Sequence, residues 1–289
     1  MAQPTIPIDD QERNTVQTAE EPLRSQPIGE LSPEEAANSP EATALRAEII
    51  DVGRKLWERA YVDGNGGNIS VRLGSQYVLC TPTLISKRDM EPADICLVNL
   101  EGDIVAGCRP RTSEVLLHLE IYKANPLARA VVHCHPPYAT AYAVTGSAPP
   151  SGHVTEYELF IGPVAVAPYE TPGTQVFAES VLPFIEDHNT ILLTNHGIVC
   201  WSDTPTHAEW LVEVVDTYCK TVLLAQQTGR PLLRIPEHKI REILAIKRRM
   251  GLPDARLARL SQPPVDAPVD GGEMERLVGQ VVARLEGRD

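Results

Sequence analysis

Apolar positions along residues 39–250 follow two rhythms, one helical and one strand-like, that divide this stretch into short elements. Ser39-Pro40-Glu41 offers an N-cap, a first-turn proline and a first-turn acid. Leu45, Ile49, Val52, Leu56 and Trp57 then recur at helical spacing to about Tyr61. Asp63-Gly64-Asn65-Gly66-Gly67-Asn68 predicts a loop, because six such residues cannot continue a helix. Strands are expected over Ile69–Leu73, Tyr77–Cys80, Ile95–Asn99, Ile104–Ala106, Ala130–His135, Val164–Ala167, Ile191–Thr194 and Ile198–Trp201. Helices are expected over Ser113–Lys123, Tyr138–Val144, Gln175–Asp187, Pro205–Gln227 and Glu237–Met250. The elements intermix without strict βαβ alternation. They predict one α/β (α+β) domain with a mostly antiparallel sheet flanked by helices.

The ends differ in texture. Residues 1–40 hold six prolines and few large apolar side chains, and read as a flexible acidic N-terminal arm. The globular domain is expected over 41–250, followed by a Pro/Gly-rich linker over 251–272 whose clearest stretch is 261–272. In 273–289, Met274, Leu277, Val278, Val281, Val282 and Leu285 form one apolar stripe of a short amphipathic helix.

Charge sharpens this division. The 289 residues carry a formal charge of −13, of which −7 lies in residues 1–45 and −3 in residues 261–289. The middle is close to neutral. The acid excess and an aromatic content of 5% argue against nucleic acid and anionic membranes as partners. No apolar run reaches the ~20 residues of a membrane span. The first ten residues lack the basic and apolar regions of a signal peptide. Six cysteines without CxxC spacing read as free thiols in a reducing, cytoplasmic compartment.

The sharpest chemical feature is Val131-Val132-His133-Cys134-His135-Pro136. In a strand, residues two apart share a face, so His133 and His135 project together. The pair suits a divalent ion such as zinc, or is simply two histidines at a strand end. His196, in Thr194-Asn195-His196-Gly197 at a turn leaving an apolar strand, is a third candidate ligand. Glu114 opens a helix and is either a metal-proximal acid or a carboxylate complementing the helix dipole. His118, further along that helix, reads as a packing residue. Gly66-Gly67-Asn68-Ile69-Ser70, Thr81-Pro82-Thr83 and Thr112-Ser113 offer hydroxyls and backbone N–H groups that can wrap a phosphate. Neither GxxxxGK[ST] nor GxGxxG occurs, so a P-loop or a Rossmann fingerprint is unsupported.

GGNIS, TPT, RTSE, HCH, PYETPGT and NHG occur in this order between Gly66 and Gly197, and in that order the chain resembles the class II aldolase/adducin family over roughly 42–228. The resemblance implies that His133, His135 and His196 ligate zinc or another divalent metal. It implies that Glu114 binds the metal at rest and moves a proton during catalysis. Gly67, Asn68, Thr83, Thr112 and Ser113 match phosphate-binding positions. The implied reaction is class II (metal-dependent) cleavage of a deoxy-ketose 1-phosphate, such as L-fuculose or L-rhamnulose 1-phosphate, to dihydroxyacetone phosphate and lactaldehyde. A homotetramer with its active site at a subunit interface is implied too.

The sequence departs from that pattern in three places, one being that no tyrosine follows Tyr218 to match a tyrosine of the C-terminal tail. Leu84 stands where the sugar-phosphate aldolases carry glycine after the threonine. The expected proton-donating tyrosine after a histidine is missing at His153-Val154, leaving Tyr157 or Glu156 as substitutes. A decarboxylase or dehydratase, an epimerase, and a non-catalytic adducin-like module remain as alternatives. Glu114 disfavours the epimerase, which usually carries aspartate there. The tail 273–289 resembles encapsulation peptides of bacterial microcompartment cargo, and would dock on shell or cargo proteins or pack on its own oligomer.

Overall fold

The computed structural model describes residues 31–260. Its centre is an eight-stranded sheet in the order β4-β3-β2-β1-β5-β8-β7-β6. The strands are β1 (Asn68–Leu73), β2 (Tyr77–Cys80), β3 (Cys96–Asn99), β4 (Ile104–Ala106), β5 (Ala130–Cys134), β6 (Ala165–Ala167), β7 (Thr190–Leu193) and β8 (Gly197–Ser202). Every pairing is antiparallel except that of β6 with β7, in keeping with the expected sheet.

Helices cover both faces, which is why the central strands are buried along their length rather than alternating. On one face α2 (Pro40–Glu58), α4 (Pro137–Thr145), α5 (Thr155–Phe160) and α7 (Pro205–Gln227) enclose a core with Ile69, Val132, Leu192, Ile198 and Val212. On the other, α3 (Val115–Ala124), α6 (Gln175–Glu179) and a 3-10 turn at Leu182–Phe184 pack over Val78, Val98, Val131 and Val199. Neighbouring residues of β5 therefore serve opposite cores. α8 (Glu237–Arg249) packs on α5, and α9 (Leu257–Leu260) follows.

Three expectations change. The helix expected over Gln175–Asp187 is broken after Glu179, since Pro183 cannot continue it. The N-terminal arm expected over 1–40 yields to structure before its end. Ser32 caps α1 (Pro33–Ala37) in a reciprocal capping box with Glu35, and Ala36 and Ala37 join the core. The linker expected over 251–272 also begins inside the fold. Buried Asp254 accepts from Lys247 Nζ at 2.9 Å and from Arg256, whose other arm holds buried Glu158 at 2.7 Å. Residues 1–30 of the arm, the linker over 261–272 and the helix expected over 273–289 lie outside the described residues. Among those described, the six cysteines are free, and no helix is long and apolar enough to cross a membrane.

Candidate metal centre

Strand register brings the distant histidines together. His133 lies opposite Asn68 on one side and Val199 on the other. β8 starts at Gly197, so His196 arrives at the edge where β5 ends. His135 has just left β5. The turn between β7 and β8 is tight: Asn195 takes a left-handed φ of 56°. Gly197 is required there. A Cβ on it would strike the Cys134 carbonyl and lie 2.7 Å from His135 Cδ2. Gly67, at φ +70°, has the same role just before β1, where a Cβ would meet Val62 Cγ1 at 2.6 Å.

The three imidazoles form a compact triangle with ring centroids 4.6–5.0 Å apart. One ring nitrogen from each lies within 4.8 Å of the others. The neighbours fix two tautomers. His133 Nδ1 donates to the Ile198 carbonyl at 2.9 Å, and His135 Nδ1 faces Asp63 Oδ1 at 3.3 Å. Both Nε2 atoms are then lone-pair bearers, and they face each other at 3.2 Å. Two lone pairs at that distance repel unless a cation lies between them. Burial pushes both His133 and His196 below the ordinary imidazole range, which favours the neutral ligand form. His196 Nδ1 is buried without a hydrogen-bond partner. These observations fit a divalent ion held by nitrogen ligands.

Glu114 supplies the carboxylate. It is the residue before α3, and its Oε2 lies 3.2 Å from His133 Nε2 while its Oε1 lies 3.5 Å from His196 Nε2. Behind it runs a buried chain of hydrogen bonds whose directions are determined. Asn68 Nδ2 donates to Glu114 Oε2 at 2.8 Å. Asn68 Oδ1 must then accept, so His118 Nε2–H donates to it at 2.5 Å. His118 Nδ1 accepts from the Ser70 hydroxyl at 2.6 Å, and Ser70 Oγ in turn accepts from Tyr122 at 2.8 Å. Burial pushes His118 down to about 3, so it stays neutral and can both donate and accept.

Asn68 is thereby placed differently from the expectation. Its side-chain amide is engaged by Glu114 and His118 rather than offered to a phosphate. His118 packs, as expected, but as a polar member of the site. Its position four residues after Glu114, on one helix face, was the available sequence signal. Lys87 was also missed. It is buried beside the loop carrying Gly67, its field reaches Glu114 and His133, and it belongs to no sequence pattern.

The other phosphate candidates come together in part. Thr83 N donates to the Pro110 carbonyl and Thr112 N to the Thr81 carbonyl, with a bridge between Pro82 and Arg111. The two hydroxyl-bearing segments thus lie side by side. Thr83 and Ser113 keep exposed surface, whereas Thr112 is buried with its hydroxyl accepting from Glu114 N. The two candidate proton donors are not brought to the centre. Tyr157 is buried in the core, stacked on Tyr218 with centroids 3.6 Å apart, because α5 packs on α7. Glu156 is exposed on the outside of α5. A cavity of about 1290 Å³ lies around Trp201, Trp210 and Leu182, and none of the candidate site residues lines it.

Fold and site together define a class: a metal-dependent lyase built on a mixed sheet, with its carboxylate and imidazoles at one sheet end. The chain belongs to the class II aldolase and adducin family, matching the Class II Aldolase and Adducin N-terminal domain over residues 47–223. It is 31% identical over 200 residues to a 5-deoxy-D-ribulose 1-phosphate aldolase of Bacillus thuringiensis, covering 68% of this chain and 92% of that one. It is 34% identical over 160 residues to a 3-oxo-tetronate 4-phosphate decarboxylase of Haemophilus influenzae, covering 54% and 76%. Among solved structures, an L-fuculose 1-phosphate aldolase superposes with a TM-score of 0.66 at 28% identity, covering 73% of this chain and 97% of that one.

Proposed function

We propose that this chain is an aldolase that cleaves a deoxy-ketose 1-phosphate, of the L-fuculose or L-rhamnulose 1-phosphate kind, to dihydroxyacetone phosphate and lactaldehyde. The observation that carries the reading is Glu114, poised between His133 and His196 and held from behind by Asn68. His133, His135 and His196 would hold the cation, with Glu114 as a fourth ligand at rest; zinc suits such a nitrogen-rich set. When bound, a divalent cation supplies Lewis acidity toward the carbonyl and hydroxyl oxygens of a substrate.

The residues of the chain do the rest. Once substrate displaces it, Glu114 has two oxygens to receive a proton and, in the cleavage direction, to return one to the carbon that loses its C–C bond. Asn68 keeps that carboxylate aimed, burial keeps His133 neutral, and the bond to Ile198 fixes its tautomer. Backbone N–H groups around Gly67, with Thr83, Thr112 and Ser113, would receive the phosphate and fix the register of the sugar. The deoxy-ketose class is supported by the relative that acts on 5-deoxy-D-ribulose 1-phosphate.

A second reading has its own support. Among the described residues, neither Tyr157 nor Glu156 stands where an aldehyde oxygen would need a proton. A decarboxylation releases carbon dioxide and needs no such donor, and a decarboxylase is among the relatives. In the homotetramer implied for the aldolase, a neighbouring copy would supply the missing donor.

A coupled assay for dihydroxyacetone phosphate over a panel of ketose 1-phosphates, run beside a carbon dioxide assay on 3-oxo-tetronate 4-phosphates, decides between the two. Dihydroxyacetone phosphate released from a deoxy-ketose 1-phosphate is the expected result. Carbon dioxide without triose phosphate would replace the aldolase reading with the decarboxylase one. Inactivity in both assays with the metal bound would remove both.

A further inference from the structure

Lys87 is an unusual buried ion. Only 1% of its surface is exposed, and its Nζ donates to the Asn65 carbonyl at 3.0 Å and the Ile85 carbonyl at 3.2 Å. Those carbonyls belong to two different loops. Asn65 precedes Gly66-Gly67, and Ile85 follows Thr83-Leu84. The lysine thus ties together the two loops that carry the phosphate candidates. Its backbone packs closely against α2, where a Cβ on Gly53 would lie 2.9 Å from the Lys87 carbonyl oxygen.

An ammonium has three N–H donors and a full charge, and two carbonyls satisfy only two of the donors. Among the described residues no carboxylate lies at ion-pair distance from Lys87; the nearest acidic influence is the field of Glu114. The other fully buried lysine shows what the fold does elsewhere. Lys247 binds Asp254 at 2.9 Å and the Ile161 carbonyl at 2.6 Å. Burying an ion is costly unless an opposite charge compensates it. At Lys87 burial is the dominant effect, pulling the ammonium down to about 8. A buried cation without a carboxylate, between loops rich in backbone N–H, lacks an anion.

We propose that Lys87 is the buried cation of the phosphate pocket, and that it selects substrates carrying a phosphate monoester dianion over their unphosphorylated counterparts. The inference rests on the phosphate reading above and adds a charged group to a pocket otherwise built from hydroxyls and amides. Arg88, its neighbour in sequence, is exposed and lies over the Trp57 ring, so it does not serve the same end.

Calorimetric titration of the metal-loaded full chain with inorganic phosphate tests this, with melting temperature and bound metal measured on the same samples. Lys87→Met removes the charge and keeps the apolar stem. It is expected to weaken phosphate about 30-fold, the worth of one bond to a charged group. Metal content should stay at the wild-type level and melting temperature close to it, because removing an uncompensated buried charge offsets the loss of a donor to the Asn65 and Ile85 carbonyls. A lysine that only clamps the loops would instead lower the melting temperature together with the affinity, and that result overturns the inference. Lys87→Gln keeps an N–H donor for one of the carbonyls and carries the same comparison if the methionine variant does not fold. Phosphate affinity within about threefold of wild type in a folded variant overturns the inference and leaves the phosphate reading standing. A wild-type chain that binds neither inorganic phosphate nor dihydroxyacetone phosphate overturns both.

Discussion

Asn68 Nδ2 donates to Glu114 Oε2 at 2.8 Å, and that single bond sets the direction of every hydrogen bond behind it. The chain through His118 and Ser70 to Tyr122 can run only one way once Asn68 is a donor. Asn68→Asp replaces the donor with a second carboxylate against Glu114. The expected result is a fall in kcat of about 100-fold, the upper range for a group that orients a metal-site residue. Steady-state kinetics beside metal analysis checks it. A rise in KM at unchanged kcat would show instead that the amide serves the substrate phosphate.

Removing an imidazole and removing the carboxylate should separate cleanly. His133→Ala takes away a buried imidazole with a preset tautomer from the proposed ligand set, and the purified protein is expected to lose its divalent metal. Glu114→Gln leaves the three imidazoles in place and should keep the metal while lowering kcat by about 10²–10⁴-fold, the usual worth of a positioned acid–base group. Elemental analysis after dialysis reads the first outcome and turnover the second. Full metal content in His133→Ala would remove that residue from the ligand set.

Much of this site was legible because its geometry is local. The strand period put His133 and His135 on one face, and the Asn195-His196-Gly197 turn marked a chain reversal beside an apolar strand. What could not be read was pairing. Glu114 reaches the histidines only because β1 lies beside β5, which places Asn68 opposite His133. Tyr157 looked available because nothing local reveals that α5 packs on α7 and buries its ring against Tyr218. Lys87 gave no signal at all, since a buried lysine reads in sequence as a surface one. The broken helix at Leu182–Phe184 was legible in principle: Pro183 is a local cause that the apolar spacing obscured.

Leu84 holds a left-handed φ of 56° and is 79% exposed, so nothing packs to compensate the conformation. A side chain there costs about 1–2 kcal/mol that glycine avoids, partly offset by the greater freedom of glycine in the unfolded chain. Leu84→Gly is expected to raise the melting temperature slightly, and thermal scans of both proteins test it. A lower melting temperature would mean that Leu84 is covered in the folded assembly.

The buried ions around α8 form a closed set, with Lys247 and Arg256 on Asp254 and Arg256 also on Glu158. Asp254→Ala leaves an ammonium buried without its carboxylate, and is expected to cost about 3–5 kcal/mol. The pair change to Lys247→Met with Asp254→Leu should recover most of that. Denaturant unfolding of the three proteins measures both differences. A single variant as stable as wild type would show that this region does not contribute to the cooperative unit.

Glu209 on α7 is fully buried, and neither of its carboxylate oxygens has a hydrogen-bond donor. Arg59 Nε stands 3.8 Å away, while the closer bond of that guanidinium, at 2.6 Å, goes to Glu213. Burial first, and the neighbouring Glu213 carboxylate second, push Glu209 up to about 8. An ordinary glutamate titrates near ~4.3. Between those values the folded chain keeps a proton that the unfolded chain releases, so stability falls as pH rises through that window and is fully present below it. Glu209→Gln carries no titrating proton and can donate an N–H to Glu213. Its melting temperature should match wild type near pH 4.5 and exceed it by several degrees above pH 8. Thermal scans from pH 4.5 to 8.5 decide the matter: parallel curves for the two proteins would mean that Glu209 is ionised throughout and that Arg59 already compensates it.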